Sequence, residues 1–259
     1  IYANGRSGGK VNILSKENIS IDGNIIAEGS KENGGNVIIL AESQVKVSEK
    51  AIINVSGKKR GGIIRSLAKQ SNTTSGNLNA ASESGLGGKV DVTGDSVKIS
   101  STTIDASGKL GGGKVRIGGE YLGGKLTKKD INYKGFVTRF GDQPQLQNAK
   151  HTIVKADANI DVSSQTGKGG TTVIWSDQVT EFDGQINAKG AEKIPFSANL
   201  NKKTKFGESL IESPKIATTN IQTKIESKAN PPSLKTLKSQ SISKPLVDPP
   251  PPMVYEKGG

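Results

Sequence analysis

The sequence contains no cysteine, which excludes both a disulfide framework and a cysteine-based zinc site. Histidine occurs once, at His151; a single imidazole excludes a multi-histidine metal centre, and the residue reads as the edge of a strand. Aromatic residues make up 4% of the chain and hydrophobic residues 32%, too little for a compact globular core, so burial must be arranged in another way. The longest uninterrupted apolar run, residues 37–41, is far short of the roughly 20 residues a membrane-spanning helix needs, and no transmembrane segment is expected. No long helical stripe of apolar residues is visible. The chain opens at Ile1 without an initiator methionine, a basic leader or an apolar leader, which reads either as a fragment or as a chain whose export signal lies upstream.

What the chain has instead is glycine. Thirty-three glycines against 10 prolines point to many tight corners between short extended runs. The formal charge of +12 favours acidic glycans, nucleic acid or anionic membranes as contacts, although a soluble lysine-rich surface is the simpler and preferred account of it.

The glycines are ordered. Pairs stand at Gly8-Gly9, Gly34-Gly35, Gly61-Gly62, Gly87-Gly88, Gly112-Gly113 and Gly169-Gly170, recurring every 25 to 27 residues until a final interval of 57. Such a period calls for a repeat architecture. After four of the pairs comes an alternating strand whose inward positions are Val11 and Ile13, Val37 and Ile39, Val90 and Val92, and Val115 and Ile117. A second alternating pair follows, as Ile19 and Ile21, Val45 and Val47, or Val97 and Ile99. A third run of the form I-x-A/V-x-G closes the unit at Ile25, Ile53, Ile104 and Ile186, with Leu78 and Ile160 heading glycine-free versions. Residues 1–5 match this third run, so the chain begins inside a coil.

Three short strands per period predict an all-β protein, a right-handed parallel β-helix of about 25–27 residues per coil in which stacked coils supply each other's backbone partners and interior. Valine and isoleucine suit the inward sites. Asn54, Asn79, Asp105, Asp161 and Asn187 fall at equivalent positions, where they form either a side-chain ladder or a row of solvated residues. The expected organisation is coils over residues 1–117, an irregular insertion or protruding loop over 118–150, final coils over 151–190, and a proline-, lysine- and serine-rich tail over 191–259 that reads as disordered. In the insertion, Tyr121, Lys128, Lys129, Tyr133, Phe136 and Arg139 form the candidate contact loop, because recognition on a rigid scaffold concentrates in its loops.

Catalytic signals are weak. Residues 108–114 and 119–125 carry the G-x-x-x-x-G-K spacing, yet Val115 and Leu126 stand where a magnesium-holding Ser or Thr belongs, and strand repeats surround both. The glycine-rich calcium-binding nonapeptide is absent. Asp157, Asp161, Asp177 and Asp183 are the carboxylates a polysaccharide lyase or hydrolase would draw on, and each also fits a turn. The residues therefore predict no enzyme, no cofactor, no metal and no nucleic-acid partner.

The stretch from Gly169, GGTTVIWSDQVTEFDGQINAKGA, resembles a signature of filamentous haemagglutinin-like exoproteins of two-partner secretion systems, with Trp175, Asp177, Thr180, Phe182, Gly184, Ile186, Ala188 and Gly190 as the matching positions. Ala191 departs from it, standing where a second glycine is expected. The resemblance, which covers about residues 1–190, implies export through an outer-membrane partner transporter, an extracellular or outer-membrane-surface location, and adhesion to host or bacterial surface glycans or proteins. The amino-terminal secretion domain that such a transporter recognises is not visible in the sequence. A carbohydrate-active β-helix and a truncated remnant without function are the alternatives.

Overall fold

Alternating β-branched residues separated by glycine corners have one way to bury a two-residue apolar face, which is to stack it on the same face of the next repeat. The computed structural model shows this stacking; it describes residues 1–124 and 146–191, together with the backbone of two later strands. The first turn comprises Lys10–Ser15 (β1), Ile19–Ile21 (β2) and Ile25–Ile26 (β3), and the second Asn36–Ala41 (β4), Gln44–Val47 (β5) and Ile52–Asn54 (β6). Ile63–Ala68 (β7), Ser71–Thr74 (β8) and Asn77–Asn79 (β9) make the third, and Lys89–Thr93 (β10), Ser96–Ile99 (β11) and Thr103–Asp105 (β12) the fourth. The fifth turn is Lys114–Ile117 (β13), His151–Val154 (β14) and Asn159–Asp161 (β15), and the sixth Thr171–Trp175 (β16), Val179–Phe182 (β17) and Gln185–Asn187 (β18).

Every pairing is parallel and joins equivalent strands of neighbouring turns, giving three faces: β1-β4-β7-β10-β13-β16, β2-β5-β8-β11-β14-β17 and β3-β6-β9-β12-β15-β18. The predicted column exists, since Val11 pairs with Val37, Val37 with Ile64, Ile64 with Val90, and Val90 with Val115. On the third face Ile25, Ile53, Leu78, Ile104, Ile160 and Ile186 stack in the same way, and all six are buried. Tyr2 and Gly5 bridge to Ile26 and Gly29, confirming that residues 1–5 run along the third face. Within the segment 191–259, Glu208–Glu212 (β19) pairs with β16 and Lys215–Ala217 (β20) with β17, so eight residues of a stretch expected to lack structure extend two faces. The rest of that segment lies outside the described residues.

The third turn has a polar interior that its sequence, S-N-T-T, left unassigned. Ser66, Asn72 and Thr74 take the inward positions of β7 and β8 and are fully buried. Asn72 Nδ2 donates to the Ser66 carbonyl (2.8 Å) and Oγ (3.0 Å) and to the Thr93 carbonyl (3.2 Å), while Thr74 Oγ1 donates to Asn72 Oδ1 (3.1 Å). Such groups are tolerated inside because each is hydrogen-bonded.

The Asn/Asp row works mainly as a set of corners. The amides of Ser56, Ala81, Ser107, Ser163 and Lys189 donate to the side-chain oxygens of Asn54, Asn79, Asp105, Asp161 and Asn187 respectively, at 2.7–3.3 Å. Each side chain bonds the backbone two residues on, which turns the chain out of the third face. A ladder contact joins the last two turns, Asn187 Nδ2 donating to Asp161 Oδ2 at 3.0 Å.

Candidate functional site

Successive residues of a strand point to opposite sides, so the outward positions of the first face form a column of their own. On β7, β10, β13 and β16 this column is Arg65, Asp91, Arg116 and Val173. Outward residues of a solenoid are ordinarily wet, yet Asp91 is 2% exposed and Arg116 and Val173 are fully buried. The two ends of the 118–150 insertion cover them. Gly118, at φ 78°, takes the left-handed conformation that lets the chain leave β13 and turn back over the face, and residues Tyr121–Gly124 continue as a 3-10 turn. Where the insertion returns, the Ala149 amide donates to the Gly118 carbonyl at 2.5 Å, closing a neck.

Beneath the neck lies an ionic cluster. Arg116 donates through Nε to Asp91 Oδ1 (2.8 Å) and through a terminal nitrogen to Asp91 Oδ2 (2.9 Å), with its other terminal nitrogen on Glu120 Oε2 (2.7 Å). Arg65 Nε reaches Asp91 Oδ2 at 3.2 Å, and the Tyr121 amide donates to Glu120 Oε1 at 3.1 Å. Burial pulls the Arg116 pKa down, but the hydrogen bonds and charges of Asp91 and Glu120 outweigh it and hold the guanidinium above its ordinary value. The cluster is charged and fully engaged, the condition under which desolvated charges are offset by pairing.

Asn148 braces the neck from the side. Its Oδ1 accepts from the Glu120 amide (3.1 Å), and its Nδ2 donates to the Gly123 carbonyl (3.1 Å) and to Asp177 Oδ1 (3.2 Å). Asp177 also accepts from the Trp175 indole at 2.8 Å, and the indole lies so close to Gly119 and Gly123 that a side chain at either would strike it. Trp175 is the one tryptophan, so its emission reports this seat directly. Removing the Asn148 amide by Asn148→Ala should red-shift that emission and cost about 1–2 kcal/mol, since three modest hydrogen bonds are lost at a half-buried site; an unchanged spectrum would show that the turn seats without it.

The returning strand is pinned separately. Lys150 Nζ lies 2.6 Å from Asp95 Oδ2, Gln147 Nε2 donates to Asp95 Oδ1 (2.9 Å), and Thr93 Oγ1 donates to the Gln147 carbonyl (2.6 Å). The hydrogen bond from Lys150, with its charge and the Gln147 bond behind it, holds the Asp95 carboxyl below the usual aspartate range. A depressed folded pKa means that this brace is intact above the ordinary aspartate value and is lost as pH falls through the lowered one. The Lys150 amide resonance should therefore titrate below the normal aspartate midpoint, and Lys150→Ala should bring the midpoint of the Gln147 side-chain amide back up.

Of the candidate contact residues, Tyr121 is half-buried in the 3-10 turn; Lys128, Lys129, Tyr133, Phe136 and Arg139 lie outside the described residues. Thr180, Phe182 and Ile186 point inward and are buried, Gly184 sits at a corner where a side chain would strike Val154 and the Ala158 carbonyl, and Ala188 packs on the core. Gly190 follows β18. Trp175 and Asp177 brace the insertion, so the eight signature positions serve the last turn and its seat. The four aspartates fall at three corners: Asp177 lies between the first and second faces, Asp157 and Asp183 between the second and third on neighbouring turns, and Asp161 at the end of β15. Ser101 amide and hydroxyl bonds hold the Asp157 carboxyl below its ordinary range. His151 opens β14 and is exposed, as expected, and residues 108–114 lead into β13 where a nucleotide-binding loop needs a helix.

Asp91, Arg116 and Glu120 were not singled out by sequence. A usable signal was present, namely opposite charges at the same outward repeat position one period apart, immediately before the repeat breaks.

Stacked three-strand turns with parallel ladders along every face define a parallel β-solenoid. A solved structure described as the secretion domain of HMW1 from Haemophilus influenzae is similar in fold, with a TM-score of 0.54 and 22% identity over 82% of this chain. The match spans 59% of that protein's chain. No family model and no curated protein matches the sequence. Among the described residues no helix is long and apolar enough to cross a membrane.

Proposed function

We propose that the chain is a non-catalytic, rigid segment of a large secreted exoprotein of the two-partner type, placed at the bacterial outer surface or beyond it, where it mediates contact with a host or bacterial surface. The observation that carries this reading is the neck at Gly118 and Ala149: the solenoid commits a desolvated ionic cluster, a tryptophan and two separate braces to the two ends of one insertion. Ends braced in this way, on either side of a sequence of lysines and aromatics, suit presentation of a contact surface. Tyr121, Lys128, Lys129, Tyr133, Phe136 and Arg139 are its proposed contact residues. The fold likeness to a secretion domain supports the secreted setting, as does the resemblance of residues 169–190 to haemagglutinin-like exoproteins.

Attachment of the fluorescently labelled full chain to epithelial cells and erythrocytes tests the reading. Binding is expected, and Lys128→Ala, Lys129→Ala and Arg139→Ala combined should reduce it about tenfold, a loss of roughly 1.4 kcal/mol. Absence of binding, or a triple variant that binds as well as the parent, would sink it.

The same likeness favours a second reading, in which the solenoid is itself the module an outer-membrane transporter recognises. Co-expression with a two-partner transporter separates the two: release of the chain into the medium supports the module, and retention with cell attachment intact supports the contact segment.

A further inference from the structure

The inward columns change character along the solenoid. In the second turn Val37, Ile39, Val45, Val47 and Ile53 fill the interior, each at most 1% exposed. In the sixth turn Thr172 takes the place in register with Val37, Thr180 the place in register with Val45, and Ser176 is buried with them. Ser176 and Thr180 share a hydrogen bond at 2.9 Å, but Thr172 Oγ1 is buried with no hydrogen-bond partner among the described residues. A hydroxyl held in this way costs stability that a methyl in its place does not. The polar third turn differs on both counts: its inward side chains are hydrogen-bonded, and it lies between two complete turns. Beyond the sixth turn the described residues supply two strands, β19 and β20, on two faces. Because a turn contacts its neighbours alone, a weak turn beside an incomplete one can open while the rest stays closed.

The sixth turn is also the one that seats the ends of the insertion. The Asp177 amide donates to the Ala149 carbonyl (2.7 Å), the Gln178 amide to the Lys150 carbonyl (3.1 Å), and the Thr152 hydroxyl to the Trp175 carbonyl (2.7 Å). Asn148 joins the Asp177 carboxylate, and the Trp175 indole lies against Gly119 and Gly123. The remaining ties go elsewhere. Gln147 and Lys150 hold Asp95 of the fourth turn, and Glu120 holds Arg116 of the fifth, so neither depends on the sixth turn being closed.

We infer that the sixth turn is a releasable latch. It opens ahead of the first five turns, and its opening lifts the Trp175 indole off Gly119 and Gly123 while the ends of the insertion stay tied to Asp95 and Arg116. The polar interior around Thr172 sets the balance between the seated and unseated forms.

Heating the full chain while following Trp175 emission and backbone circular dichroism tests the latch. Emission should shift to the red several degrees below the circular dichroism transition. Thr172→Val removes the unpaired hydroxyl and keeps the shape, on the side of β16 opposite the indole. It should narrow that gap and slow amide exchange about tenfold in β16, at Asp177, and at Glu120 and Gly123 in the insertion, with β4 and β5 unchanged. Ile174→Ala removes a buried side chain from the same strand and should act in the opposite direction on the same amides. Should that variant fail to fold, Thr172→Val still decides the matter, since it stabilises. Coincident emission and circular dichroism transitions in the parent would overturn the latch. So would Thr172→Val slowing β16 with the Glu120 and Gly123 amides unmoved, or slowing β4 and β5 equally.

Discussion

Replacing Arg116 with alanine should destabilise the solenoid by about 3–5 kcal/mol, the cost typical of removing one partner from a buried ion pair. The variant strands Asp91 and Glu120, both nearly inaccessible, with Arg65 at 3.2 Å as the remaining cation on Asp91 among the described residues. The loss should be local first. Turns interact with their neighbours alone, so hydrogen exchange should rise in β10, β13 and β16 and at residues 118–124 before it rises in β1 or β4. A triple substitution, Asp91→Leu with Arg116→Met and Glu120→Leu, should recover most of the stability, since apolar residues of similar volume replace a buried cluster at little net cost. Urea unfolding with the Arg116→Ala midpoint unshifted would mean that the cluster opens to water and that residues 118–124 do not cover it.

The second large effect belongs to the glycine stack. A side chain at Gly62 would press on the Gly35 carbonyl of the preceding turn and the Val55 carbonyl of its own corner, far inside van der Waals contact, and backbone cannot swing aside as a side chain can. Gly62→Ala should cost about 3 kcal/mol, the upper end of what overpacking usually costs. Gly23 provides the control within the same molecule. Nothing lies within 4 Å of a Cβ placed there, and its φ is not in the left-handed region. Gly23→Ala should therefore leave thermal unfolding unchanged or raise stability by about 0.4–1 kcal/mol through the unfolded chain. Equal effects at the two positions would dismiss the close approach of turns at this corner.

The glycine pairs show why so much of the fold could be read in advance. Their period measures the perimeter of one turn, and between them the alternating Val and Ile positions name the inward face; residues 25 to 27 apart then had to lie over each other, as Val11, Val37, Val90 and Val115 do. Reading failed where the local pattern was silent. Ser71–Thr74 carries no apolar alternation, yet it is a strand because the turns above and below dictate its register, and Asn72 is inside because Val45 and Val97 are. The candidate site was half legible. A break in the period marked the insertion, and Trp175 and Asp177 were marked by resemblance, but the hydrogen bond that ties them to the insertion, from Asn148 to Asp177, joins residues 29 positions apart and leaves no periodic trace.

The sequence by itself determined the repeat length, the three strands per turn and the identity of the apolar columns, because each follows from short-range alternation and from glycine at fixed intervals. Only the tertiary structure decided that Asp91, Arg116 and Glu120 are buried, that the Asn and Asp row forms corners more than a ladder, and that the turn seating Trp175 against the insertion is the one with Thr172, Ser176 and Thr180 inside. Those outcomes depend on what covers or adjoins a residue across turns, and burial and pairing across turns are properties of the stack that a single strand's sequence does not contain.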